Sequence, residues 1–304
     1  MTKAIGRDPS EGMQGAEVGE IPMDEAASVR VPEPAVAVER AAAPSPIVLV
    51  CDHASNLLPA RYGSLGLTAD DLLKHFAWDP GALAISRRLS ALLDAPLVYG
   101  CVSRLVLDVN RDPSDIDSIV ETIDGAVATG NAGLSTEERG RRVAEIYAPY
   151  HAAVEDLLSK RARQGRRSAL VAIHTYTPNL QGAVRPWHCG VIFASDSRLG
   201  EALIKGLKAE AGLVVGVNEP YAPSDRVYHT MSRHGEANGN LAVMIEVRND
   251  LVSDDDGQEA WATRLAPLLQ SSAQISLDAG GADPPKRKAI AQRAKPRRGK
   301  GAGK

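Results

Sequence analysis

Between residues 46 and 279, short apolar runs ending in polar clusters alternate with stretches of helical periodicity. Ile47–Cys51 is the first such run, and Asp52, His53, Ala54, Ser55 and Asn56 follow it directly. A continuous apolar run of this length reads as a buried strand rather than a half-exposed one. The same pattern predicts strands over 97–99, 105–107, 169–173, 190–193 and 241–247. Helical spacing covers 68–77, where Thr68 and Asp71 are set like a capping box. It recurs over 80–93 and from Ser135, with Glu138 three residues on, to about residue 161. Pro149 predicts a kink in that last helix. Further helices are expected over 196–211 and 257–269. Strands separated by helices predict a mainly parallel sheet covered on both faces.

The two ends lack this pattern. Residues 1–45 are rich in Ala, Pro, Gly and Glu, and too little of them can be buried to offset the entropy of ordering. They are expected to form a disordered extension ahead of one catalytic domain over 46–279. Residues 280–304 set nine Lys and Arg residues against one acid, Asp283. That composition reads as a disordered, solvated tail, or else as a weak electrostatic contact with nucleic acid or anionic surfaces. The chain as a whole carries a net charge of −3, which exerts no general pull toward either.

Aromatic residues make up only 4% of the chain, so the core must be built from Leu, Val, Ile and Ala. Cys51, Cys101 and Cys189 are too few and too scattered for a disulfide framework, which fits a reducing cytoplasm. Lys3 and Arg7 precede no apolar stretch, so no signal peptide is expected. The longest apolar run is strand-sized and far short of a membrane span. No Gly-rich phosphate motif follows a strand, which argues against a nucleotide cofactor.

In open α/β sheets, sites form outside the carboxyl ends of the strands, and unusual polar residues gather there four times in this chain. His53 and His174 each leave a strand end. Neighbouring strands lie only about 5 Å apart, so the two imidazoles can converge on one divalent ion. A catalytic zinc takes three protein ligands, and Asp79 is the candidate third. Asp79 could equally be the N-cap of the helix starting at Pro80. Glu246 sits inside an apolar strand and must be paired, bind metal or have a raised pKa. It is either ion-paired with an arginine such as Arg248 or a general base that takes a proton from water. Arg104 and Arg111 flank the 105–109 run beside Asn110, which suggests bidentate recognition of a carboxylate or oxyanion. His188, next to Trp187, is a substrate contact, a reserve ligand or a packing residue. His75, His151, His229 and His234 are not assigned to the metal, although Tyr150 and His151 could support the site from behind.

Together these segments resemble the N-formylglutamate amidohydrolase family: residues 51–56, 75–82, 103–111, 174–178, 185–190 and 246–250, in order along the chain. The resemblance implies a three-layer α/β/α domain with a mixed, mainly parallel sheet, similar to that of the zinc carboxypeptidases and aspartoacylases. It implies zinc on His53 and His174, substrate carboxylate on Asn110 and Arg111, Glu246 as base, and Arg104 polarising the scissile carbonyl. The carboxypeptidases carry a Glu three residues after the first His. Here that position is Asn56, so either the third ligand comes from elsewhere, with Asp79 the candidate, or the metal is held weakly. The expected reaction is zinc-dependent hydrolysis of an N-formyl or other N-acyl amino acid. The alternatives are a carboxypeptidase-like peptide hydrolase and a non-catalytic carboxylate-binding protein.

Overall fold

A computed structural model describes residues 34–279. The apolar runs form a seven-stranded sheet. Its strands are β1 (Val36–Glu39), β2 (Ile47–Cys51), β3 (Leu97–Gly100), β4 (Ala169–Tyr176), β5 (Cys189–Ile192), β6 (Val215–Val217) and β7 (Leu241–Arg248). Their spatial order is β1-β3-β2-β4-β7-β5-β6. Four of the six pairings are parallel. The outer β1–β3 pair and the β7–β5 pair are antiparallel. The sheet is therefore mixed and mainly parallel, as expected.

Strand parity separates the two core layers. The odd positions Ile47, Leu49, Val171, Ile173, Val243 and Ile245 face one side, which is covered by α2 (Ala82–Leu93), α5 (Arg198–Lys208) and α6 (Asp255–Ala279). The even positions Val48, Val50, Leu170, Ala172, Ala242 and Met244 face the other side, against Tyr150, Val154 and Leu157 of α4 (Ala148–Arg163). Burial on both faces explains why β2 and β4 read as unbroken apolar runs. No helix of the described residues is long and apolar enough to cross a membrane.

Several local expectations need correction. The helix expected over 68–77 is a single turn, α1 (Ala69–Leu72), although Thr68 and Asp71 do form the capping box. The helix from Ser135 breaks into α3 (Thr136–Arg142), a π-helical turn (Val143–Tyr147) and α4. Pro149 lacks an N–H and its ring crowds the preceding turn, and the wider turn just before it absorbs that conflict. Within the expected N-terminal extension, residues 36–39 instead form β1, because alternating Val36 and Val38 add an edge strand to β3. Residues 1–33 and the basic tail over 280–304 lie outside the described residues. The α6 helix extends well past residue 269, and β6 was not foreseen, being only three residues long.

The largest correction is the 105–107 run, which is buried but is not a strand. Side chains and a turn in which the Val106 N–H donates to the Ser103 carbonyl (3.0 Å) take the place of a ladder. Asn131 Nδ2 donates to the Leu105 carbonyl (2.8 Å), and Arg142 donates to the Val106 carbonyl (2.9 Å). His151 Nε2 donates to the Val109 carbonyl (2.9 Å), and the Ser103 hydroxyl accepts the Leu105 N–H (3.2 Å). Arg142 also donates to Asn131 Oδ1 (2.8 Å), so it clamps this loop at two points. Replacing Arg142 by Met should therefore lower stability by about 1–3 kcal/mol, the cost of leaving buried carbonyls unpaired. Urea denaturation of the two proteins measures this.

Candidate active site

Strands β2, β4 and β7 run parallel as neighbours, so their carboxyl ends share one edge of the sheet. In the β4–β7 ladder Glu246 stands opposite His174. Asp52 and His53 leave β2 at the same level. Asp79 reaches this edge from the turn before α2. Its backbone N–H donates to the His53 carbonyl (2.9 Å), and its carboxylate turns away from the helix. The N-cap of α2 is Gly81, with φ of 85°, so Asp79 does not cap the helix. An added Cβ at Gly81 would also meet the Val252 carbonyl at 2.7 Å.

His53, Asp79 and His174 are all buried, and each offers one ligand atom within 4.8 Å of the other two. Asp79 Oδ2 lies 2.8 Å from His174 Nδ1 and 3.5 Å from His53 Nδ1. Each imidazole is held from behind by a carboxylate at its other nitrogen. His53 Nε2 donates to Asp108 Oδ1 (2.7 Å), and His174 Nε2 donates to Asp52 Oδ2 (2.9 Å). With Nε2 of each ring given to these carboxylates, both Nδ1 atoms turn toward Asp79 Oδ2; His174 Nδ1 donates to it at 2.8 Å, and replacing that proton would leave three electron-rich atoms facing one point. That arrangement calls for a positive charge between them. His53 Nδ1 is itself buried without a hydrogen-bond partner. The donor set therefore fits a metal ion, and it matches the imidazole and carboxylate chemistry of catalytic zinc.

The charges around these groups hold positive charge at this point strongly. Burial alone would depress the His174 pKa, but the hydrogen bonds and charges of Asp52 and Asp79 hold it well above the ordinary value. Burial would raise Asp79, but the nearby charge of His53 and the hydrogen bond from His174 hold it well below the carboxylate range. Asp52 is pulled to about 2 against its burial by His174 and by the Tyr150 hydroxyl, which donates to Asp52 Oδ1 at 2.6 Å. Thr230 Oγ1 donates to the same oxygen (2.8 Å). Tyr150 thus supports the site from behind, whereas His151 hydrogen-bonds to His234 and to the Val109 carbonyl.

Glu246 is 4% exposed, and its Oε2 has no partner. Burial raises its pKa to about 7, against the pull of His174. The expected alternative, an ion pair with Arg248, does not form: Arg248 donates to Asp250 (2.8 Å). Glu246 lines a cleft of about 80 Å³ together with His53, Asp79, His174, Arg104 and Arg111. Arg104 donates to Asp108 Oδ2 (2.9 Å), and its other terminal nitrogen lies 3.5 Å from Asp79 Oδ1. Arg111 donates to the Asp225 carbonyl (3.2 Å), with Nε 3.8 Å from Asp108.

The N-formylglutamate amidohydrolase family model matches residues 45–253. The chain belongs to this family. A search of curated proteins finds no match. Among solved structures, a gene product of Agrobacterium tumefaciens is 41% identical, with a TM-score of 0.78, covering 81% of this chain and 97% of that one. An N-formylglutamate amidohydrolase from Ralstonia eutropha JMP134 is 18% identical, with a TM-score of 0.63, covering 80% and 98%, and shares the fold. As a member of the N-formylglutamate amidohydrolase family, the protein is a hydrolase of amide bonds.

Two residues expected to bind substrate differ in where they lie. Asn110 lines the cleft, but both ends of its amide are engaged. Nδ2 donates to the Val227 carbonyl (2.6 Å) and Oδ1 accepts the Thr230 N–H (3.0 Å), so Asn110 fixes the 227–230 segment and keeps one Nδ2 hydrogen besides. His188 is not in the cleft. β5 runs antiparallel to β7, so the His188 carbonyl accepts the Arg248 N–H (3.0 Å) and its Nδ1 accepts the Val214 N–H (2.9 Å). The ring lines a separate hollow with Glu210 and Trp261.

The sequence reading assigned no role to Asp52, Asp108, His75 or Tyr221. Asp52 and Asp108 stood in the polar clusters after apolar runs, and that position was the available signal. His75, four residues before Asp79, is partly exposed to the cleft, and burial lowers its pKa to about 4. Nothing local marks Tyr221, which lines the cleft and accepts a hydrogen bond from Arg185 (3.1 Å).

Proposed function

We propose that the protein hydrolyses the amide bond of an N-formyl, or other small N-acyl, amino acid, with one zinc ion held by His53, Asp79 and His174. The observation that carries this reading is the buried, unpartnered Glu246 carboxylate sharing a small cleft with those three residues. When bound, zinc acidifies water and polarises a carbonyl oxygen.

The chain's own groups do the rest. Glu246, with its pKa raised to about 7 by burial, takes a proton from the attacking water and returns it to the leaving amine. Arg104, fixed by Asp108, directs its charge at the oxygen that becomes negative as the carbonyl is attacked. Arg111 pairs with the substrate carboxylate and so orients the amide. Asn110 and the Val227 carbonyl it holds form the wall beside Arg111.

Cleft size favours a small acyl group. About 80 Å³ is well below the roughly 300–1,000 Å³ of pockets for drug-sized ligands. A panel of N-formyl amino acids, N-acetyl amino acids and dipeptides tests this with the purified protein. N-formyl substrates should give the highest kcat/KM, with stoichiometric zinc found by elemental analysis. Faster turnover of dipeptides would favour the carboxypeptidase-like alternative, and tight binding of acidic ligands without turnover would favour a binding protein.

A further inference from the structure

We propose that His75 is a positioning residue that aims Asp79 at the metal by holding the carboxylate oxygen turned away from the two ligand imidazoles. This rests on the metal reading above.

The two oxygens of Asp79 face different neighbours. Oδ2 looks toward His174 Nδ1 and His53 Nδ1 and accepts the Thr175 N–H (3.3 Å). Oδ1 looks the other way, 3.5 Å from an Arg104 terminal nitrogen and 3.6 Å from His75 Nδ1. His75 Nδ1 is buried, and no hydrogen-bond partner satisfies it. A buried polar atom without a partner is costly, and Asp79 Oδ1 is the acceptor that faces it.

A ring nitrogen that faces a carboxylate is stable there only as N–H, because two lone pairs would repel. The 3.6 Å gap is slightly too long for a hydrogen bond, and a shift of about half an ångström closes it. Asp79 is free to make such a shift in its side chain alone, since its backbone is tied to the His53 carbonyl. Arg104 holds Oδ1 only through a long 3.5 Å hydrogen bond from Nη1, while its short one, from Nη2, goes to Asp108, so Oδ1 has room for a second donor. The three ligands then share one design: Asp108 backs His53, Asp52 backs His174, and His75 with Arg104 backs Asp79. Outer partners of this kind tune metal affinity by roughly 10–100-fold.

The test uses the full chain, stripped of metal, as wild type and as His75→Ala, His75→Asn and His75→Gln. Zinc affinity is read by chelator competition and site geometry by the visible spectrum of the cobalt(II) form. The Asn amide nitrogen lies where Nδ1 does, whereas that of Gln lies where Nε2 does. His75→Ala should weaken zinc binding by about 10–100-fold and alter the cobalt spectrum. His75→Asn should stay within about threefold of wild type, and His75→Gln should behave like Ala. A general packing role would not separate Asn from Gln in this way. Wild-type affinity and an unchanged spectrum in His75→Ala would overturn the proposal, as would an Asn variant no better than Gln. A wild-type chain that takes up neither zinc nor cobalt would overturn the underlying metal reading instead.

Discussion

Glu246→Gln is expected to lower kcat by about 10²–10⁴-fold, with zinc content and KM close to wild type. The amide has the shape of the carboxylate but cannot accept a proton at the buried Oε2 position, so the loss falls on the chemical step. The variant should fold normally. Burial is what pushes the Glu246 pKa to about 7, so a neutral side chain relieves a desolvation cost and leaves no new buried charge. Formate release under saturating substrate, with elemental analysis of the same sample, checks the expectation. Turnover within about threefold of wild type would remove Glu246 from the reaction. Loss of zinc along with activity would make it a ligand rather than a base.

His53→Ala should abolish both stoichiometric zinc and hydrolysis, a larger loss of metal than any change behind the ligands produces. It removes one of three donor atoms and leaves Asp108 Oδ1 without the imidazole that lies 2.7 Å away. It also unbalances Asp79, whose low pKa depends first on the charge of His53 once burial is set against it. Wild-type protein treated with a chelator should lose activity in parallel and recover it when zinc is restored, which His53→Ala should not do. Full activity in the zinc-free variant would exclude a metal from the reaction.

Much of the site was legible because of where its residues stand. His53, His174 and Glu246 each follow or interrupt an apolar run, and a polar group in that position needs a reason of its own. Asp79 was visible only as a choice between ligand and cap. That choice turned on Gly81, whose left-handed backbone takes the N-cap position and frees the Asp79 carboxylate. His188 stood in an equally suggestive cluster and proved to face another hollow. Strand direction decides which way such a residue points, and an antiparallel β5 cannot be told from a parallel one by its four-residue pattern.

By itself, the order of apolar and polar positions determined the α/β class, the buried strands β2, β4 and β7, and the edge at which chemistry gathers. These follow from local periodicity and from the rule that buried polar groups require partners. Tertiary structure alone decided that 105–109 is a side-chain-braced loop. It also decided that Asp52 and Asp108 stand behind the imidazoles, that Asn110 braces the backbone of 227–230, and that His75 Nδ1 lies 3.6 Å from Asp79. Each of these depends on atoms brought together from distant parts of the chain, such as Arg142 against Val106 or Thr230 against Asp52. Hydrogen-bond partners at that separation leave no mark on the periodicity of either segment.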